Sequence, residues 1–111
     1  MAQISTHVLD VAKGAPAAGI PIDLFLDGER LASTITNLDG RTDEPLVSTE
    51  SIAIGEYDLV FRVANYLRSH HPDKQPFYDR IEIRFAVNEA DGHYHVPLLL
   101  APHAYSTYRG S

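Results

Sequence analysis

The chain has 111 residues, a formal net charge of −6 and no cysteine. This length fits one domain, residues 1–111, with enough buried surface to fold without staples, and the missing thiols exclude disulfides and thiolate metal sites. The acidic balance argues against a nucleic-acid partner, which needs a basic footprint. The longest apolar run, Val96–Pro102, is too short to cross a bilayer.

The opening residues, Met1–His7, show neither the basic start nor the apolar stretch of a secretion signal, so a cytoplasmic location is expected. From there the pattern is all-β. Ile4–Asp10 predicts a first strand, with Ile4, Thr6 and Val8 on one face and Ser5, His7 and Leu9 on the other. Residues 14–19, rich in Gly, Ala and Pro, read as a connection. Ile20–Leu26 alternates as a strand whose apolar face carries Ile20, Ile22, Leu24 and Leu26. Asp27-Gly28 marks a tight turn, from which Leu31–Thr36 returns.

Asp39-Gly40 marks a second turn, presenting Arg41. Leu46-Val47 and Ile52–Ile54 are short apolar pieces without a clear period. Glu56–Val63 predicts a strand, Ala64–His71 a short helix ended by Pro72, and Asp79–Val87 another strand. A third pair, Asp91-Gly92, precedes the strands His93–Leu100 and Ala104–Tyr108. Seven to eight short strands with one short helix indicate a two-sheet sandwich.

Three polar features stand apart from this pattern. His7 interrupts an apolar strand. His95 shares a strand face with His93, Pro97 and Leu99, opposite the core face of Tyr94, Val96, Leu98 and Leu100. A face mixing His, Pro and Leu suits a contact surface or pocket wall better than free surface. Finally, Tyr108-Arg109-Gly110-Ser111 places a ring, a guanidinium, a flexible residue and a hydroxyl directly after a strand. The adjacent His70 and His71 do not face each other on a helix and have no ligand spacing around them, so no metal site is expected.

Together these stretches resemble the 5-hydroxyisourate hydrolases, the enzymatic branch of the transthyretin family. The resemblance runs through His7-Val8-Leu9-Asp10, Gly14-Ala15-Pro16-Ala17, Thr36-Asn37-Leu38-Asp39-Gly40-Arg41, His95-Val96-Pro97-Leu98-Leu99-Leu100-Ala101-Pro102 and Tyr105–Ser111. The closing tetrad is its most specific part; hormone-carrying transthyretins share the fold but lack that ending and both histidines. Between Asn65 and Arg80 the chain departs from the family pattern, being more charged and richer in histidine.

The resemblance implies a transthyretin-like sandwich that assembles as a homotetramer, with sites in a channel between subunits. It implies hydrolytic ring opening of 5-hydroxyisourate in urate catabolism, with no cofactor. His7, Arg41, His95 and Ser111 match the catalytic positions; Tyr108, Arg109 and Gly110 match the substrate-binding ones. Which histidine takes the proton is left open by the sequence, as is the use of the Ser111 hydroxyl or carboxylate. The alternative reading is a transthyretin-like protein that binds a small ligand without turnover.

Overall fold

The computed structural model describes all 111 residues. Nine strands and one helix run in the order β1 (Ala2–Asp10), β2 (Ala15–Pro16), β3 (Pro21–Leu26), β4 (Glu29–Ile35), β5 (Val47–Thr49), β6 (Gly55–Arg62), α1 (Ala64–His70), β7 (Arg80–Val87), β8 (His93–Ala101) and β9 (Ala104–Thr107). They form two sheets. One is ordered β2-β1-β8-β9, with β5 also pairing β1; the other is ordered β4-β3-β6-β7. The expected two-sheet architecture is therefore observed.

The extra strands β2 and β5 are two and three residues long. Each is an edge piece on β1, too brief to impose a period on its sequence. β2 pairs Leu9 and Asp10, while β5 pairs Ala2, Gln3 and Ile4. The middle of that β1 edge is thus left for another segment to cover.

The core follows from alternation. Ala2, Ile4, Thr6, Val8 and Asp10 are buried and the intervening β1 residues only half-buried. β8 does the same with Tyr94, Val96, Leu98 and Leu100. Ile22 and Leu24 of β3 and Tyr57, Leu59 and Phe61 of β6 meet them from the facing sheet in one cluster of 22 residues. Burying side chains of this kind stabilises by roughly 1.5–3 kcal/mol each before entropy is counted. Leu26, at the end of β3 beyond the β3–β4 register shift at Leu24/Phe25, is only partly buried.

The first turn forms as expected: Asp27 and Gly28 have φ of 50° and 82°, and β3 and β4 make a hairpin. Asp91-Gly92 instead carries the chain from one sheet to the other, since β7 pairs β6 and β8 pairs β1. The helix ends one residue earlier than expected. His71 caps it through its N–H to the Leu67 carbonyl, at a backbone angle (φ −134°) suited to the residue before a proline.

β1 and β8 run parallel at the centre of their sheet, with Ser5 opposite His95 and His7 opposite Pro97. This pairing puts the outward faces of both strands side by side.

Candidate active site

His7 and His95 lie on the outer face of the β1–β8 pair, both half-buried. The uncovered middle of the β1 edge receives the 37–41 turn, whose Gly40 carbonyl accepts the Val8 N–H at 2.8 Å. Gly40 has φ of 75°, and a Cβ there would overlap the Val8 carbonyl oxygen, so only glycine lets the turn dock this closely. Asn37 organises the turn: its Oδ1 accepts the N–H groups of Asp39 (2.9 Å) and Arg41 (3.2 Å). Docking brings the Asp39 carbonyl to 2.9 Å from His7 Nε2. A carbonyl only accepts, so Nε2 carries the hydrogen and Nδ1 of a neutral His7 is the bare nitrogen. The same turn sets Arg41 at the rim beside both histidines.

The tail arrives from the other side. β9 pairs β8 as far as Thr107, whose hydroxyl donates to the Pro97 carbonyl at 2.7 Å. Pro97 has no N–H to continue the ladder. Tyr108 and Arg109 lie beyond the ladder, and Gly110 rejoins β8 by donating its N–H to the His95 carbonyl at 2.8 Å. Gly110 also packs on the imidazole itself; a Cβ there would lie 2.5 Å from His95 Cδ2.

The Arg109 guanidinium sits over the Tyr94 ring at 4.5 Å and donates to the His93 carbonyl at 3.0 Å. It is therefore anchored at the cleft margin. Tyr108 is 56% exposed, a large ring left open to whatever faces it.

All seven site residues expected from the sequence border one cleft of about 520 Å³. Gln3, Ser5, Leu9 and Pro97 complete its lining. Ser5, placed by the sequence on the His7 face but not among the site residues, puts Oγ 2.9 Å from His95 Nδ1. A hydroxyl on the same strand face as His7 was the available clue; its contact depends on strand register. No Asp or Glu side chain lines the cleft, although the chain as a whole is acidic. Burial pushes the His95 imidazole below its ordinary pKa, and nearby Arg41 and His7 add to the shift. Both effects favour the neutral imidazole, the form able to accept a proton. The cleft gathers two imidazoles and the Arg41 guanidinium, while the Arg109 guanidinium is turned onto Tyr94 and the His93 carbonyl.

The description HIUase/Transthyretin family belongs to a family model that matches residues 4–110. The chain belongs to that family. A 5-hydroxyisourate hydrolase of Pseudomonas aeruginosa is 45% identical over 117 residues, covering 100% of this chain and 93% of that protein. The solved Klebsiella pneumoniae 5-hydroxyisourate hydrolase superposes with a TM-score of 0.86 at 34% identity, covering 100% of each chain. Transthyretin from Sparus aurata superposes with a TM-score of 0.83 at 26% identity, covering 97% of this chain and 96% of that one. The fold is thus common to the hydrolases and transthyretin, while identity is higher to the hydrolases.

No helix is long and apolar enough to cross a membrane.

Proposed function

We propose that this chain hydrolyses 5-hydroxyisourate, opening its six-membered ring in urate catabolism. The observation that carries the reading is the meeting of His7, His95, Arg41 and the tail in one cleft, on a chain about 45% identical to relatives named for that activity.

In the proposed mechanism, His95 is the general base. Its Nδ1 is engaged by Ser5, so Nε2 is the nitrogen available to a water in the cleft. Nε2 takes a proton as the water oxygen bonds to the ring carbonyl carbon. The carbon–nitrogen bond then breaks, and His95 returns the proton to the leaving nitrogen. The product is 2-oxo-4-hydroxy-4-carboxy-5-ureidoimidazoline. His7, fixed by the Asp39 carbonyl, orients the water through Nδ1. Arg41 stabilises the negative charge that grows on the carbonyl oxygen. Tyr108 and Arg109 wall the substrate in, and Gly110 and Ser111 close the pocket.

A homotetramer with its sites between subunits is part of this proposal. Two features support it. β7 and β9 are free edges, one from each sheet, and Ile83 and Phe85 of β7 share a cavity of about 230 Å³ with Thr107 of β9. Adjacent unpaired edges are ready for a second copy. The cleft also leaves Tyr108 and Arg41 exposed, where a facing subunit would bury them. The cytoplasmic location belongs to the proposal as well, on the sequence reading alone; cell fractionation tests it.

The direct test is decay of freshly generated 5-hydroxyisourate followed by ultraviolet absorbance. The wild-type chain should accelerate it. His95→Ala should lose on the order of a hundredfold to ten-thousandfold in kcat, the usual contribution of a positioned base, with an unchanged circular dichroism spectrum. Light scattering should give the mass of four chains, and a fully active monomer would refute the shared site.

A further inference from the structure

We infer that Ser5 is a positioning residue for His95: its hydroxyl accepts the Nδ1 hydrogen, fixing the ring and leaving Nε2 bare toward the cleft. The inference rests on the reading of His95 as the base.

The parallel register places Ser5 directly opposite His95, with both side chains on the outer face. Oγ lies 2.9 Å from Nδ1 and has no other hydrogen-bond partner in the protein. A neutral imidazole has one N–H, and the group bonded to one nitrogen decides which nitrogen is bare. Were the hydroxyl to donate to Nδ1, Nε2 would carry the hydrogen and face the substrate as a donor. Accepting from Nδ1 makes Nε2 the base. The same contact then serves the imidazolium formed during the reaction, because that ion still donates from Nδ1. No group has to move as the proton arrives, which is the advantage of a preorganised site.

The charged and titratable groups around His95 explain why a hydroxyl suits this position. Arg41 comes from the docked turn, His7 from β1 and Ser111, with its hydroxyl and carboxylate, from the tail; the Arg109 guanidinium is held on Tyr94 and the His93 carbonyl, and His93 lies two residues away on β8. No carboxylate side chain lines the cleft. A carboxylate at position 5 would favour the imidazolium and occupy the base with a proton before substrate arrives. The neutral hydroxyl orients the ring without this effect. It acts as the third group that orients a catalytic base, here without a charge of its own.

The test compares Ser5→Val with Ser5→Thr, which have similar shape on a strand but differ in the hydroxyl. Ser5→Val should lower kcat on the order of tenfold to a hundredfold, as loss of a ligand-orienting partner does elsewhere, with KM little changed. Ser5→Thr should keep wild-type kcat. In ¹⁵N spectra at pH 8, wild-type His95 should show hydrogen on Nδ1, and Ser5→Val should shift toward the Nε2–H form. Thermal melts of both variants show that they fold.

The proposal is overturned by wild-type turnover in Ser5→Val, by an equal loss in Ser5→Thr, or by a wild-type His95 with hydrogen on Nε2. His95→Ala is measured alongside. An active His95→Ala would remove the base reading itself, whereas a dead His95→Ala beside an active Ser5→Val would remove only the role of Ser5.

Discussion

β1 carries two polar constellations three residues apart, on opposite faces, and they treat histidine differently. On the outer face, His7 and His95 meet a carbonyl, a hydroxyl and a neighbouring guanidinium. On the inner face, Asp10 is fully buried and accepts hydrogen bonds from His71 Nε2 (2.7 Å), Tyr66 Oη (2.8 Å) and the Lys13 N–H (3.0 Å). Burial opposes ionisation of Asp10, but these donors prevail and hold its carboxyl below the usual carboxylate range. Burial, with Asp10 beside it, pushes the Tyr66 phenol well above its ordinary value, so it stays a donor. On the inner face His71 is a structural hydrogen-bond partner of a sealed carboxylate. His7 and His95, whose direct partners are a carbonyl and a hydroxyl, have no Asp or Glu side chain in their cleft.

The strongest way to break this contrast is Asp10→Ala. It leaves the Tyr66 hydroxyl and the His71 ring without their acceptor, where α1 docks against the end of β1. Leaving a buried donor without its acceptor costs about 1–3 kcal/mol, to be read from urea unfolding, while kcat per folded molecule should stay at the wild-type value. A variant of normal stability would show that the inner cluster does not hold the helix. The pH dependence has a defined sign. Because the folded pKa of Asp10 is depressed, its contribution is present in full above the unfolded value of 3.8. It is lost as pH falls through the lower folded value. Acid unfolding of the wild type should therefore lose a component below pH 3.8 that Asp10→Ala lacks.

The outer cluster is tested next by Arg41→Gln. If the guanidinium stabilises the oxyanion, kcat should fall about a hundredfold to a thousandfold. A second readout separates this role from damage to the turn. Burial, then Arg41, then His7 keep His95 below its ordinary pKa. Removing the Arg41 charge lets that pKa rise, so the acid limb of kcat/KM should move to higher pH. A limb that stays in place would mean that the base seen in kinetics is not His95.

Much of this contrast was legible in the sequence, and the reason is geometric. Strand alternation assigns faces from two-residue spacing alone, and it places His95 opposite Tyr94 and Val96. The docked turn was legible through Asp39-Gly40. What alternation does not supply is register. The Ser5–His95 contact joins residues 90 apart and exists only because β1 and β8 pair in one parallel alignment. Asp10 was hidden for the same reason, since Tyr66 and His71 reach it from 56 and 61 residues away. His70 and His71, adjacent in sequence, diverge in the fold. His71 bonds Asp10, while His70 stacks on Tyr66 at 4.1 Å and meets Lys13 Nζ at 3.1 Å. β2 and β5 left no periodic trace because each is shorter than two full alternations.

The smallest expected effect tests how tightly the tail and His95 are coupled. Gly110 bonds the His95 carbonyl through its N–H and packs against the imidazole. In Gly110→Ala the new methyl would come within 2.5 Å of Cδ2 and 3.3 Å of Cγ, closer than carbon atoms tolerate. Either the tail slides outward and the Gly110–His95 hydrogen bond lengthens, or the ring turns and leaves Ser5. Misplacing a reacting group by about 1 Å costs on the order of a hundredfold, and a sub-ångström adjustment should cost about tenfold. The two responses separate in the kinetics. A sliding tail weakens the pocket wall and raises KM, whereas a turned ring lowers kcat and shifts the His95 ¹⁵N signals as Ser5→Val does. Wild-type kcat and KM in this variant would show that the imidazole and the tail occupy the cleft independently, leaving the outer cluster without its closing contact.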